Sequence, residues 1–188
     1  MRVFVAVALA PALREAIGGV RSRLNSAGSA LRWVPPDNLH FTLKFLGEIA
    51  EARVAGIADA AREVAGRTGR FEITLAGLGA FPSPRRPQVV WVGVGDGADR
   101  LVALAGDLDT ALYRLKFPRE HRPFQPHLTV ARVRRAGPVP DLSGPLDGLA
   151  GLVLGSQPVD ALLVMESTLN PAGATYRPVD TVRLREVA

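Results

Sequence analysis

Apolar residues along this chain recur with a period of either about 2 or about 3.6, and the switches between the two divide it into strands and helices. Val3 to Leu9 is apolar on both faces and predicts a central strand. Pro11 suits a first helical turn, and Leu13, Ile17, Val20 and Leu24 recur at helical spacing as far as a break at Asn25–Ser29. Leu31-Arg32-Trp33-Val34 predicts a short strand ahead of Pro35-Pro36. The run Asn38-Leu39-His40-Phe41-Thr42-Leu43-Lys44-Phe45-Leu46-Gly47 then alternates strictly. A regular strand puts Leu39, Phe41, Leu43 and Phe45 on one face and His40, Thr42 and Lys44 on the other.

Glu48 to Gly66 reads as an amphipathic helix with Val54, Ile57, Ala61 and Val64 inward, and Phe71, Ile73 and Leu75 alternate as a strand. Ala80 to Pro87 is a proline-rich loop, Val89 to Val94 a buried strand, and Gly95-Asp96-Gly97 a turn. A helix from about Asp99 to Leu115 lines up Leu101, Leu104, Leu108, Leu112 and Leu115. After the basic connection Lys116 to Arg122, Pro126-His127-Leu128-Thr129-Val130 repeats the pattern of the His40 strand. Ala136 to Pro158, rich in Gly and Pro, predicts a connector holding at most one short helix. Asp160 to Thr168 and Ala174 to Leu184 predict two strands joined by a turn at Asn170-Pro171-Ala172-Gly173. Strands and helices mix without regular βαβ repetition, which favours an α+β fold with antiparallel sheets. The repeated histidine strands point to two lobes facing each other across a cleft, within a single domain spanning residues 1–188.

Composition narrows the picture. At 188 residues, 47% apolar and 22% charged, the chain has ordinary globular composition. It carries a net charge of +5, and only Lys44 and Lys116 are lysines. Arginine suits bidentate phosphate recognition, although a genomic base-composition bias enriches it equally well. With no cysteine, disulfides, thiolate metal sites and cysteine nucleophiles are excluded. No apolar run approaches the roughly 20 residues of a membrane span, so a cytoplasmic protein without membrane attachment is expected.

Only three histidines are present, and two of them, His40 and His127, share the form His-x-Thr on a strand, 87 residues apart. Side chains at i and i+2 of a strand stand roughly 6.6–6.8 Å apart on one face, so each histidine has a threonine beside it. One such motif alone reads as a solvated strand face; two of them read as a site. Imidazoles titrate near pH 6.5. Two that face each other can therefore stand as one neutral base and one charged acid, which is what splitting a phosphodiester without a metal requires. Thr42 and Thr129 would hold the non-bridging oxygens. Neither histidine has a second histidine or a carboxylate at ligand spacing, so no metal is expected. His121 reads as surface. No G-x-S-x-G elbow, Walker loop or G-x-G-x-x-G after a strand is present.

Both motifs, within NLHFTLKFLGE and RPFQPHLTVAR, resemble those of the two-histidine phosphoesterase superfamily. More narrowly, the chain resembles the bacterial and archaeal RNA 2′,3′-cyclic phosphodiesterases, long called 2′-5′ RNA ligases. The RVFVAVAL strand, the GAFPSPRRPQVVWVGV segment and the ESTLNPAGATY turn extend the likeness over nearly the whole chain. The resemblance implies a bilobal α+β fold with pseudo-twofold lobes and outer helices, a site in the central cleft, and no cofactor. It implies opening of RNA 2′,3′-cyclic phosphate ends to 2′-phosphomonoesters without a metal; small cyclic nucleotides are the alternative substrate, and a monomer is expected. By the same carry-over His40 protonates the leaving 3′ oxygen, His127 activates water, and Thr42 and Thr129 hold the phosphate, with acid and base exchangeable.

The family pattern also has an arginine on the phosphate, matching Arg132. A strict strand count puts Arg132 on the wrong face, so the strand is bulged or ends before it, or Arg132 is structural. Phe124, Trp33 and Phe45 are candidate base-stacking groups, although Phe45 is in phase with Phe41 and Leu43. Arg85, Arg86, Arg114 and Arg122 are candidates for tracking an RNA backbone. Joining of RNA ends at the same site, and RNA or nucleotide binding without turnover, are the competing readings.

Overall fold

The structure, a computed structural model, describes residues 1–24, 30–170 and 173–186; the expected break at Asn25–Ser29 and the Pro171-Ala172 centre of the last turn lie outside them. In chain order, β1 (Arg2–Ala8) leads through a 3-10 turn at Pro11–Leu13 into α1 (Arg14–Arg23), followed by β2 (Leu31–Trp33) and β3 (His40–Glu48). Then come α2 (Val54–Arg67), β4 (Phe71–Phe81), β5 (Val89–Val94), α3 (Ala98–Arg114) and β6 (His127–Val133). The chain ends with α4 (Ser143–Asp147), β7 (Val153–Val159), β8 (Ala161–Asn170) and β9 (Gly173–Arg183).

These strands form two antiparallel sheets, one ordered β3-β1-β8-β9 and the other β2-β6-β5-β4-β7. The two histidine strands thus belong to different sheets. Each sheet draws on both ends of the chain, since β2 crosses to the second and β8 and β9 return to the first. The helices α2 and α3 pack on each other, α2 also on β8 and β9, α3 on β3, and α1 on β7. The spacings that predict these helices also predict their buried faces: Ile17 and Val20, Ile57, Ala61 and Val64, then Leu101, Leu104, Leu108 and Leu112 are all buried.

The helix expected from Glu48 begins only at Val54, since β3 runs through Glu48, and two further boundaries differ in the second sheet. The stretch from Ala136 to Pro158, expected to be a connector, ends in the strand β7, which pairs with β4 alone at the edge of its sheet. Pro158 and Gly155 disguise it in the sequence, yet an edge strand tolerates a missing N–H. Gly155 has φ +128° beside the register shift that admits Leu154 as an extra residue. The second difference is β4, which runs on past Leu75 to Phe81. There Gly79 lets the Trp91 ring lie flat on the backbone, because a Cβ at that position would stand 2.3 Å from the indole.

Candidate active site

Both histidine strands carry the same irregularity. In β3, Ala6 pairs with Thr42 and Val5 with Lys44, leaving Leu43 as an extra residue. In β6, Trp91 pairs with Thr129 and Val90 with Ala131, leaving Val130 extra. Each extra residue follows the threonine of its motif, so the bulge sits at one offset in both strands. A bulge reverses the alternation beyond it. Leu43 and Val130 stay buried, and the next residues to face the cleft are Phe45 and Arg132, each five positions after its histidine.

This settles the open question about Arg132, which lines the cleft because its strand is bulged. Two expectations about the His40 strand are overturned by the same device. Phe45 leaves the core phase of Phe41 and Leu43 to stand 46% exposed in the cleft, with the Arg2 guanidinium 5.0 Å above its ring. Lys44 leaves the histidine face and is buried, 3% exposed, on the α3 side. Its Nζ lies 2.7 Å from Asp109 Oδ1, 2.8 Å from the Pro118 carbonyl and 3.1 Å from Glu120 Oε1. Burial pushes the Asp109 carboxyl up. The Lys44 hydrogen bond, the Glu120 amide, and the charges of Lys44 and Arg119 together outweigh it and hold Asp109 below the usual aspartate value.

The cleft, about 590 Å³, is lined by His40, Thr42, His127, Thr129, Phe45 and Arg132 among others. The two histidines are held alike. His40 Nδ1 lies 2.7 Å from the Asn38 carbonyl, and His127 Nδ1 lies 2.7 Å from the Gln125 carbonyl. A carbonyl can only accept, so each Nδ1–H donates and, among the described residues, each Nε2 has no protein partner. Each ring also meets aromatic edges: Tyr176 packs at right angles on His40 at 5.1 Å, and Phe81 on His127 at 5.1 Å. Phe4 lies under His40 at 4.8 Å. Among the described residues, neither threonine hydroxyl is engaged by another protein group. Burial lowers the His40 pKa from 6.5, the Asn38 carbonyl opposes this, and the charges of Arg132 and His127 add to the lowering. His40 of the first sheet and His127 and Arg132 of the second line the same cleft.

Phe124 and Trp33 pack against the core and line no part of the cleft, so the structure does not bring them to the site. Arg114 is held by Glu63 at 2.7 Å, while Arg85, Arg86 and Arg122 are exposed outside the cleft. His121 is exposed, as expected. Sequence reasoning missed Tyr176, Asn38, Arg2 and Arg32. Asn38 Nδ2 donates to the Ala174 carbonyl at 2.8 Å while its backbone carbonyl accepts the hydrogen bond from His40 Nδ1–H, tying the β8–β9 hairpin to the ring. Its place two residues ahead of His40, where Gln125 precedes His127, was the one available signal.

Comparison with known proteins places this geometry. The family described as LigT like phosphoesterase matches the chain twice, over residues 7–91 and 92–176, one copy around each histidine strand. The RNA 2′,3′-cyclic phosphodiesterase of Methanothermobacter thermautotrophicus is 35% identical over 184 residues, covering 98% of this chain and 99% of the relative. The protein of that name from Archaeoglobus fulgidus is 36% identical over 177 residues, with 94% and 97% covered. A solved structure from Thermus thermophilus superposes with a TM-score of 0.83 at 28% identity, over 99% of both chains. Escherichia coli LigT complexed with 3′-AMP gives 0.78 at 28% identity, over 98% of both. With the family pattern found once in each half, and relatives aligned along almost the whole length, the chain belongs to the LigT-like phosphoesterases.

Proposed function

We propose that this protein hydrolyses the 2′,3′-cyclic phosphate end of RNA to a 2′-phosphomonoester, using His40 and His127 as an acid–base pair. One observation carries the reading: two imidazoles in one cleft, each with Nδ1–H tied to the carbonyl two residues back, each with Nε2 free. In the reaction a water oxygen bonds to phosphorus and the bond from phosphorus to O3′ breaks. His127 Nε2 takes the water proton, and His40 Nε2 delivers a proton to O3′. A phosphate anion entering between the rings favours the imidazolium and offsets the lowered pKa of His40. Thr42 and Thr129 donate to the non-bridging oxygens, and Arg132 neutralises charge there. Phe45 offers an exposed ring for a base, so the two bulges supply one stacking group and one cation at equivalent positions. The relatives named RNA 2′,3′-cyclic phosphodiesterases and the 3′-AMP complex of E. coli LigT support an RNA or nucleotide substrate.

The test is turnover of an oligonucleotide ending in a 2′,3′-cyclic phosphate, in EDTA, with the monoester product identified. His40→Ala and His127→Ala should each lose on the order of 10²–10⁴ in kcat while circular dichroism stays unchanged. Undiminished activity in either variant, or substrate bound but chemically unchanged by the parent protein, overturns the proposal. A p-nitrophenyl phosphodiester, whose leaving group needs no proton, then assigns the roles: the His40 variant should recover most activity on it and the His127 variant should not. Recovery by the His127 variant instead exchanges acid and base. Adding RNA halves with a free 5′-hydroxyl measures joining at the same site.

A further inference from the structure

A second groove, about 890 Å³, opens beside the catalytic cleft and shares Arg32 and Arg132 with it. Arg134, Arg135, Gln88 and Val139 continue the lining away from the histidines. Building on the proposed function, we propose that this groove binds the single-stranded RNA that leads up to the reacting cyclic end.

Three features of the groove support this. Its charge is of one sign: four arginines line it, and among the described residues no carboxylate lines either the groove or the cleft. Some arginines elsewhere, Arg62, Arg67, Arg114, Arg177 and Arg183 among them, are each held by a carboxylate, while others such as Arg85, Arg86 and Arg122 stand on the open surface rather than clustered in a groove. Among the described residues, none of the four groove arginines has such a partner, so an anion is what they lack. The second feature is a built-in repulsion. Arg32 and Arg132 are direct cross-strand partners in the β2–β6 pairing, and like charges so placed destabilise a sheet. An anion lying between the two guanidinium groups relieves that repulsion, and the position is the junction of cleft and groove.

The third feature comes from the substrate. A 2′,3′-cyclic phosphate closes the 3′ end of its strand, so every further phosphate lies on the 5′ side and leaves the cleft in one direction. A mononucleotide fills the cleft and leaves the groove empty. Among the described residues no aromatic side chain lines the groove, so it offers no platform for stacking bases, and its arginines contact phosphates without regard to sequence. The amide of Arg134 donates to the Ala30 carbonyl at 2.8 Å, fixing the backbone from which Arg134 and Arg135 project.

The experiment compares 2′,3′-cyclic AMP with a decanucleotide carrying the same end, in the parent protein and in the double variant Arg134→Ala/Arg135→Ala. The variant should keep its kcat/KM on the mononucleotide and lose about tenfold on the decamer, and its salt dependence should flatten by roughly 0.7 in log–log slope for each phosphate that is no longer neutralised. An unchanged decamer rate, or an equal loss on both substrates, overturns the groove. Removing the same two charges from α2, as Arg62→Ala/Arg67→Ala, should leave the decamer rate intact; a matching loss there assigns the effect to net charge and also overturns it. If the parent protein turns over neither substrate, the proposed function has failed. Fluorescence anisotropy of a labelled decamer ending in a 3′-phosphate then decides the groove by itself, since equal affinity in parent and variant overturns it.

Discussion

His40 works against its surroundings. Burial lowers its pKa first, and the charges of Arg132 and His127 lower it further, while the Asn38 carbonyl pulls the other way. An NMR titration of the free protein should therefore find His40 below 6.5, and Arg132→Met should move it back up. One limb of the pH profile of kcat/KM should follow the same pKa, since that parameter reports free-enzyme ionisations. Stability is linked with a definite sign. Below 6.5 the unfolded chain takes up a proton at this histidine before the folded protein does, so stability falls as pH drops through 6.5 towards the lowered folded value. Replacing His40 by Gln should flatten that part of the curve, read as the urea midpoint between about pH 7.5 and pH 5. Equal flattening in His121→Gln, at an exposed histidine, would contradict the assignment.

At the scale of elements, the bulges decide which side chains reach the cleft. The sequence shows both histidine strands, because His40, Thr42, His127 and Thr129 precede the irregularity and strict alternation holds up to it. It misleads beyond that point: Leu43 followed by Phe45 keeps perfect alternation on paper while the backbone adds a residue at Leu43. Only a charge misplaced by that alternation hints at it. Lys44, assigned to the cleft face, instead crosses to the core side and joins β3 to α3 and to the segment that leads to His127. Phe124 is a different case, since an aromatic beside a motif is a core candidate as much as a stacking one, and it packs against the core outside the cleft lining. The Lys44 brace can be measured. Lys44→Met leaves the half-buried Asp109 carboxylate with the Glu120 amide at 3.1 Å and the Arg119 guanidinium at 3.6 Å, and should cost about 2 kcal/mol in urea unfolding. Pairing it with Asp109→Leu should cost less than the two single changes added, because removing both charges abolishes the unpaired one. Strict additivity would mean that Lys44 acts through packing alone.

At the scale of the whole molecule, the family pattern divides the chain near residue 91, but the sheets do not divide there. A fragment ending at Gly95 keeps β1 and β3 yet lacks β8 and β9, and its β2 is cut off from β5 because β6 belongs to the other fragment. The complementary fragment holds the β8–β9 hairpin without the β1 strand that pairs with β8. Neither half can bury the apolar faces its strands present, and neither holds both His40 and His127. The duplication is therefore visible in sequence as repeated motifs, whereas the interlocking of the sheets depends on pairings between residues more than a hundred positions apart, such as Val5 with Val164. Expressed alone, residues 1–95 and 96–188 should each show no cooperative urea transition by circular dichroism. The intact chain should lose Trp33 and Trp91 fluorescence, which reports the second sheet, and His40 NMR signals, which report the first, at one midpoint. Separate midpoints would show lobes that fold independently. The cleft would then be an interface between two domains, and its histidines would be held together more loosely than the matched bulges and the Asn38 and Gln125 contacts indicate.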